Sequence, residues 1–471
     1  MTDAVVVGSG PNGLAAAVTL ALDGVSVTVY EGADAIGGGT RTSERILPGL
    51  LHDDCSAAHP MGAASPFFRS LDLAAHGLEW CRPEVDLAHP LDDAAPGVLT
   101  GSVADTAAVL GRDGAAWRRS FGPLADRLDD LTADVLRPIA HLPEHPITLA
   151  RFGAGALAPA TWTARRWRTP QARALFAGVA AHAYQPLTRP TTSAVGLLMI
   201  AAGHRYGWPV ARGGSRAIAD ALASLLRAHG GRIETGRWVR SLGELPRAEI
   251  TMLDVSPTGA LELAGNRLPR RVARAYRRYR YGPAAFRLDL AVDGGIPWRD
   301  DACRRAGTVH LGGTIAEVAA TERDLQRGRM PQRPFVLIGQ QYLADPSRSA
   351  GSVHPVWAYA HVPHGFTGNA TEPILRQIER FAPGVRDRIV GSSTRSAVEM
   401  PVYNPNYVGG DIASGANDPL QLLARPRLAL DPYATGIPGV YLCSASTPPG
   451  GGVHGMGGHH AARSALRHLG R

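Results

Sequence analysis

Hydrophobic positions along this chain change period several times. A short β-branched run, Ala4 to Val7, leads into small apolar residues at helical spacing (Leu14, Ala15, Ala16, Ala17, Leu20) that stop near Gly24. A second extended run, Val25 to Val29, follows, so the opening predicts a βαβ unit. Residues 102–140 and 147–168 carry apolar and charged positions at helical spacing, the latter with a basic, Trp-bearing end. Arg212-Gly213-Gly214-Ser215 opens another helix, with Ala217, Ile218, Ala221, Leu222, Leu225 and Leu226 on one face and Gly230-Gly231 at its end. Ile233 to Val239 and Glu249 to Val255 then read as strands, so the α/β pattern resumes after a long insertion. Between 284 and 400 the period drops to two, as in Phe286-Arg287-Leu288-Asp289-Leu290 and Phe335-Val336-Leu337-Ile338, which predicts a mainly antiparallel sheet. A buried strand from Gly439 to Ser444 and a helix starting around 457–460 close the chain.

The first turn carries the strongest chemical signal. Gly8-Ser9-Gly10-Pro11-Asn12-Gly13 is a GxGxxG, and Glu31 stands 18 residues after Gly13 at the end of the second strand. Gly8 permits the tight turn, Gly10 lets a pyrophosphate approach, and Gly13 lets helix pack on strand. The helix N-terminus offers amides and a positive dipole end to the phosphates, and Glu31 an acceptor to the ribose hydroxyls. A lone GxGxxG is weak; here strand, helix, second strand and acid agree, which favours a dinucleotide site over an ordinary glycine turn. A second glycine turn, Gly37-Gly38-Gly39-Thr40-Arg41-Thr42, follows at once. A nicotinamide dehydrogenase has no need of it, whereas flavoproteins of the glutathione-reductase type often have one, with an Arg near the pyrophosphate. The expected cofactor is therefore FAD. Near the C-terminus, Pro448-Pro449-Gly450-Gly451-Gly452-Val453-His454-Gly455 enters the last helix. Placed beside an isoalloxazine, that end would stabilise charge growing on the ring as it is reduced. A plain helix cap on a glycine loop is the equal alternative.

Composition narrows the field. The 471 residues amount to roughly three domain-equivalents, and 45% hydrophobic residues supply a packed core rather than a disordered chain. Four scattered Cys with no CxxC exclude a disulfide scaffold and a cysteine zinc finger. No apolar run of about 18 residues is present for a membrane span. The start, MTDAVVVGSG, lacks the charged region and cleavage site of a signal peptide, so a cytoplasmic location is expected. Every one of the 49 basic residues is Arg, which excludes a Walker Lys, a Schiff base and a lysine base. The net charge of +8 comes with no zinc-finger or RNP-type motif, so no nucleic-acid partner is expected. Seven Arg fall within residues 267–280, with Arg270, Arg274 and Arg277 on one helical face near Tyr276 and Tyr279. A solvated basic face is the favoured reading. A peripheral membrane patch, with Trp162 to Arg168 serving likewise, is the alternative.

Taken together, VVVGSGPNGLAAAVTLA, CSAAHPMGAASPFF from Cys55, YRYGPAAFRLDLAVDGGIPW from Tyr279, YNPNYVGGDI from Tyr403 and GVYLCSASTPPGGGVHGMGGHHAA from Gly439 resemble the phytoene desaturase-like flavoproteins. The nearest branch is that of the pyridine nucleotide-disulphide oxidoreductase domain-containing proteins, and the likeness spans most of the chain. It implies an α/β fold: a Rossmann-type FAD-binding domain of glutathione-reductase type, built from 1–85, 205–283 and 405–471, with an α+β substrate domain from 86–204 and 284–404. It implies FAD contacts at Gly8, Gly10, Pro11, Asn12, Gly13, Glu31, Gly38 and Arg41, at Val239 beside the adenine, and at Gly451, Gly452, Val453 and His454 along the flavin. One departure stands out. Related chains often end the last strand with Gly-Asp or Gly-Glu, whereas this one reads Ser444-Ala445-Ser446, leaving the hydroxyl of Ser446 as the replacement contact.

The implied activity is an FAD-dependent oxidoreductase, a dehydrogenase or desaturase taking hydride to flavin N5 from an apolar, polyene-like or lipid-like substrate. With no second GxGxxG, the expected electron acceptor is oxygen or a quinone, not a built-in NAD(P)H site. Alternatives are a flavin-dependent isomerase, an amine oxidase-like enzyme and a non-catalytic flavoprotein scaffold; the absent Lys counts against the amine oxidase. His59 and His454 are the polar candidates near the flavin, with plain packing preferred. Asn404, Asn406 and Tyr407 are candidates for the substrate face, an Asn-Pro-Asn turn being equally plausible chemistry. His454, His459 and His460 lack the spacing of a metal site, so no metal is expected.

Overall fold

The computed structural model describes residues 3–470. A first sheet of five parallel strands runs in the order Val440–Leu442, Ile250–Leu253, Asp3–Val7, Ser26–Tyr30 and Arg232–Glu234. Its central strand is buried on both faces, which is why it reads as an unbroken Val run rather than an alternation. The helix Pro11–Leu22 opens with Pro at its first position and covers one face. The C-terminal helix Met456–His468 crosses it so closely that a Cβ on Gly458 would collide with the Asn12 carbonyl. That contact explains the run of Ala and Gly on both helices.

The strand expected from Ile233 to Val239 is shorter than its pattern suggests. After Glu234 the chain turns, and the amides of Gly236 and Arg237 bond the carbonyls of Ala33 (2.9 Å) and Glu31 (2.8 Å). The following loop therefore folds over the end of the second strand and leaves Val239 outside the sheet.

A second sheet of seven strands has the order Ile389–Arg395, Ala284–Asp293, Val353–Val362, Val336–Gly339, Ala306–Leu311, Val85–His89 and Gly97–Leu99. It is antiparallel, as its two-residue period predicts, except where Ala306–Leu311 runs parallel to Val85–His89. The alternation sorts its two faces. Val356, Ala358, Ala360 and Val362 pack in one core with Ile374, Ile378 and Phe381 of the helix Thr371–Phe381. Trp357, Tyr359 and Leu337 join an opposite core with Leu175, Phe176 and Val179 of the helix Pro170–Ala180 and Leu197 and Ile200 of the helix Thr192–Tyr206.

The basic segments sort themselves by burial. On the helix Arg270–Arg277 the arginines are exposed, while Tyr276, like Tyr279 just beyond, is buried. In the Trp162-to-Arg168 segment Trp162 and the three arginines face out, while Trp167 is fully buried and stacks on Phe121. Among the described residues no helix is long and apolar enough to cross a membrane.

Candidate functional site

The glycine turn sits at the carboxyl end of the parallel strands, where open α/β sheets bind ligands. Gly8 has φ +97°, in the left-handed region that a side chain resists, so the chain can double back beneath the helix. Gly13 is pressed against the Gly8 carbonyl and Asp254, fulfilling its packing role. The N-cap residue of Pro11–Leu22 is Gly10, which has no side chain to cap the helix, and Gly10, Pro11 and Asn12 line the cavity described below. Glu31 is positioned by several donors: the Ser9 amide (2.9 Å) and hydroxyl (2.5 Å) meet Oε2, and the Ala33 amide (2.9 Å) and Arg41 (3.3 Å) meet Oε1.

Sequence reading missed one member of this turn. Asp254, at the end of the strand Ile250–Leu253, accepts the Gly13 amide at 2.9 Å through Oδ2. The same oxygen would lie 2.6 Å from a Cβ on Gly10. Burial, reinforced by the charge of Glu31 and opposed by the Gly13 amide, pushes its carboxyl up to about 7. The signal in the sequence is faint: an Asp in Leu253-Asp254-Val255-Ser256-Pro257 reads as an ordinary strand-to-helix turn.

The second glycine turn lies against the first, a Cβ on Gly38 coming 3.1 Å from the Gly10 Cα. Arg41 donates to the Ala35 carbonyl (3.0 Å) and lies over the Tyr403 ring (5.5 Å). Asn404, Asn406 and Tyr407 line the cavity here. Asn406 accepts the Ser256 amide (2.7 Å) and donates to the Asp254 carbonyl (3.3 Å); Asn404 accepts the Asn406 amide (3.1 Å). A Cβ on Gly39 would run into the Tyr407 hydroxyl. The Asn-Pro-Asn segment thus braces the two glycine turns.

The C-terminal glycine run completes the wall. Gly450, Gly451, Gly452, Val453 and His454 all line the cavity. Val453 adopts φ +53°, which a β-branched residue avoids, and such strain clusters at functional sites. His454 accepts the Met456 amide on Nδ1 (3.1 Å), and burial holds its ring near pKa 4, so it is neutral at pH 7. His59 does not line the cavity; it bonds the Ser215 hydroxyl (2.8 Å), packs against Trp80, and is likewise held at about 4 by burial. Ser446 also falls outside the lining. Its hydroxyl donates to the Ser414 carbonyl (2.9 Å), while Ser444 and Ala445 face the cavity in its place. Val239 and Asn12 line the cavity, with Asn12 Oδ1 accepting the Gly458 amide (3.4 Å). Among the described residues no cluster of His, Cys, Asp and Glu could hold a metal ion.

One cavity of about 1480 Å³ joins these parts. Ordinary small-molecule sites run to roughly 300–1,000 Å³, so the space admits a dinucleotide and a second molecule together. Beyond the glycine run it opens between Leu149 and Phe152 of the helix Pro146–Ala156, Leu198 and Met199 of the helix Thr192–Tyr206, and the second sheet. Ile139 and Leu157, both lining residues, are more than half exposed and mark an apolar rim. The donor set fits FAD: an uncapped helix end, a glycine cradle with no room for side chains, and an acid at the ribose position.

Residues 6–72 match the NAD(P)-binding Rossmann-like domain family. The chain is similar along its length to pyridine nucleotide-disulfide oxidoreductase domain-containing protein 2 of Rattus norvegicus, at 26% identity over 99% of this chain and 94% of that protein. Among solved structures, an oxidoreductase from Methanosarcina mazei superposes with TM-score 0.64 at 15% identity, over 99% of this chain and 100% of the other. Putrescine oxidase bound to putrescine superposes with TM-score 0.62 at 18% identity, over 100% and 99%. The structural likeness establishes the fold, and the named relative is of the same branch that the sequence motifs resemble. The chain therefore holds an NAD(P)-binding Rossmann-like domain within an α/β fold shared with those two enzymes, and is similar from end to end to the pyridine nucleotide-disulfide oxidoreductase domain-containing proteins.

Proposed function

We propose that this protein is an FAD-dependent oxidoreductase that removes hydride from a C–H bond of a lipophilic substrate. The observation that carries the reading is the single cavity running from the Gly8–Glu31 cradle, past Gly450–His454, into an apolar chamber between the second sheet and its helices. When bound, FAD supplies a two-electron acceptor on its flavin ring. The chain's own work is binding, orientation and exclusion of water. The uncapped helix at Pro11 and the glycine turns hold the phosphates, and Glu31 receives the ribose hydroxyls. Leu149, Phe152, Leu198 and Met199 keep water from the reacting carbon. His59 and His454, both neutral at pH 7, contribute no positive charge. The name of the rat relative and the fold of putrescine oxidase support redox chemistry. Amine oxidation is the less favoured variant, since the lysine that most such enzymes place near the flavin has no counterpart in a chain without Lys.

The test starts from colour. Purified protein should be yellow, release FAD on denaturation, and bleach anaerobically with polyenes or lipids, with oxygen or a quinone restoring the colour. A colourless protein that cannot be reconstituted with FAD but binds NAD sinks the proposal. Reduction by small polar amines or alcohols alone refutes the lipophilic substrate, and rapid saturable bleaching by NADPH refutes the absence of a nicotinamide site.

A further inference from the structure

The far end of the chamber is not simply apolar. Six side chains line it: His182, Tyr184, Thr308, Leu337, Trp357 and Tyr359. Trp357 Nε1 is a buried donor without a partner, and the Tyr184 hydroxyl meets only the Tyr359 hydroxyl on the same wall, a pair that leaves one of its two O–H donors free. Tyr184 is 5% exposed and Trp357 9%. A buried donor without a partner is costly, and native structures keep few of them. Two on one cavity wall point to a ligand that supplies the acceptors.

The surroundings hold these donors in place. Tyr184 sits at φ +52°, a conformation a bulky residue enters only when its neighbours impose it. Its ring stacks on His361 with centroids 4.0 Å apart, and His361 Nδ1 bonds Glu322 Oε1 at 2.7 Å. Trp357, Tyr359 and His361 alternate along one strand and so face the same way, Trp357 and Tyr359 with ring centroids 4.9 Å apart. His182 Nε2 lies 3.3 Å from His310 Nε2, the first ring half-buried, the second buried, and both neutral at pH 7.

Charge decides what the donors are for. The carboxylates on the cavity wall are Glu31, Asp134, Asp254 and Glu262. Glu31, Asp254 and Glu262 belong to the strands and helix of the nucleotide side. Asp134 is occupied by the amides of Glu144 and His145 and by His141. Glu322 lies behind His361 and does not reach the wall. An ammonium at this end would meet donors and neutral rings, with no carboxylate to balance it.

We propose that this end of the chamber binds the neutral oxygen-bearing head of a lipophilic substrate, a carbonyl or hydroxyl whose oxygen accepts from Tyr184 and Trp357. This rests on the flavoenzyme reading above, and it separates the substrate class from the amines. The apolar arm takes the hydrocarbon body, and the head group fixes which carbon lies against the cofactor.

The test uses purified protein with the flavin it carries. Four probes of one chain length are compared: methyl hexyl ketone, octanol, octylamine and octane. Calorimetry reads the first three and headspace partition reads octane. The ketone and the alcohol should bind at least about tenfold more tightly than octane or octylamine. Tyr184→Phe should weaken the ketone about five- to tenfold and leave octane unchanged, as expected for one lost hydrogen bond. Trp357→Phe should act likewise, and an unchanged melting curve shows that each variant is folded. Equal binding of ketone and octane, tightest binding of octylamine, or an unchanged ketone-to-octane ratio in both variants overturns the proposal. If neither variant folds, the four-probe series on the unmodified protein decides alone. Absence of FAD from the protein defeats the flavoenzyme reading separately, because the calorimetric ratio does not depend on colour.

Discussion

Asp254 offers a quantitative test of how the glycine turn is built. Its carboxyl is raised from 3.8 to about 7, chiefly by burial, with the nearby charge of Glu31 adding to it and the Gly13 amide opposing it. The folded chain therefore binds this proton more tightly than the unfolded chain does. The stability it lends is complete below pH 4 and is lost as the pH rises towards 7, beyond which the folded site holds a buried anion. A shift of about three units corresponds to an upper figure of about 4 kcal/mol, at 1.36 kcal/mol per unit. Asn at 254 keeps an oxygen for the Gly13 amide and carries no titratable group. Asp254→Asn and the parent chain should thus have equal stability near pH 4 and diverge as the pH rises, the variant being the more stable at pH 7.5. Even a quarter of the upper figure, about 1 kcal/mol, is resolved by urea midpoints measured on flavin-free protein at three pH values. A gap independent of pH, or a variant less stable at pH 7.5, would refute the reasoning.

Three further outcomes are expected. Gly458→Ala should lower stability by about 3 kcal/mol or more and release bound dinucleotide, because its Cβ meets the Asn12 carbonyl where the two helices cross; a melting curve and the released chromophore check this. Arg348 is fully buried between Asp53 and Asp345 and donates to the Ala211 carbonyl at 2.6 Å, so Arg348→Met should cost about 3–5 kcal/mol at pH 7. Burial resists ionisation of Asp53, but Arg348 and the Ser215 amide outweigh it and hold the carboxyl below its usual range, so this contribution is present above about pH 4 and fades as acid protonates the pair; denaturation at pH 7 and pH 3 should show the gap closing. Ser446→Ala should remove one hydrogen bond to Ser414, cost about 1 kcal/mol in a urea titration, and leave the flavin spectrum unchanged.

The parts legible in the sequence are those where one local constraint dominates. The Val run, the glycine spacing and the acid at Glu31 all lie within a single βαβ unit, and the two-residue alternation of 284–290 marks a strand, though both its faces are buried and Arg287 pairs with Asp289 on the polar one. What could not be read depends on contacts distant in sequence. Asp254 reaches Gly13 across 241 positions. Asn406 reads equally as a substrate-face or a turn residue, and nothing local reveals that its side-chain oxygen accepts the Ser256 amide. Tyr184 and Trp357 are far apart in sequence, and only the packing of Trp357's strand against the Ala181–Tyr184 segment brings their donors to one wall. Ser446 likewise has a distant partner that its neighbours do not reveal, the Ser414 carbonyl.

The parallel sheet also dictates an order of events during synthesis. Its central strand leaves the ribosome long before the edge strand Val440–Leu442 that completes the sheet. The helix Pro11–Leu22 must wait for Met456–His468 to cover it, so a nascent chain of four hundred residues still has a bare run of alanines and an unfinished cradle. Such long-range closure is slow and leaves apolar surface open to aggregation. A chain arrested before Gly450 would have no wall for the flavin, so cofactor loading has to follow the synthesis of that segment. A cell short of riboflavin would then accumulate empty chains, and heterologous expression should gain more from slow growth with added riboflavin than from stronger promoters.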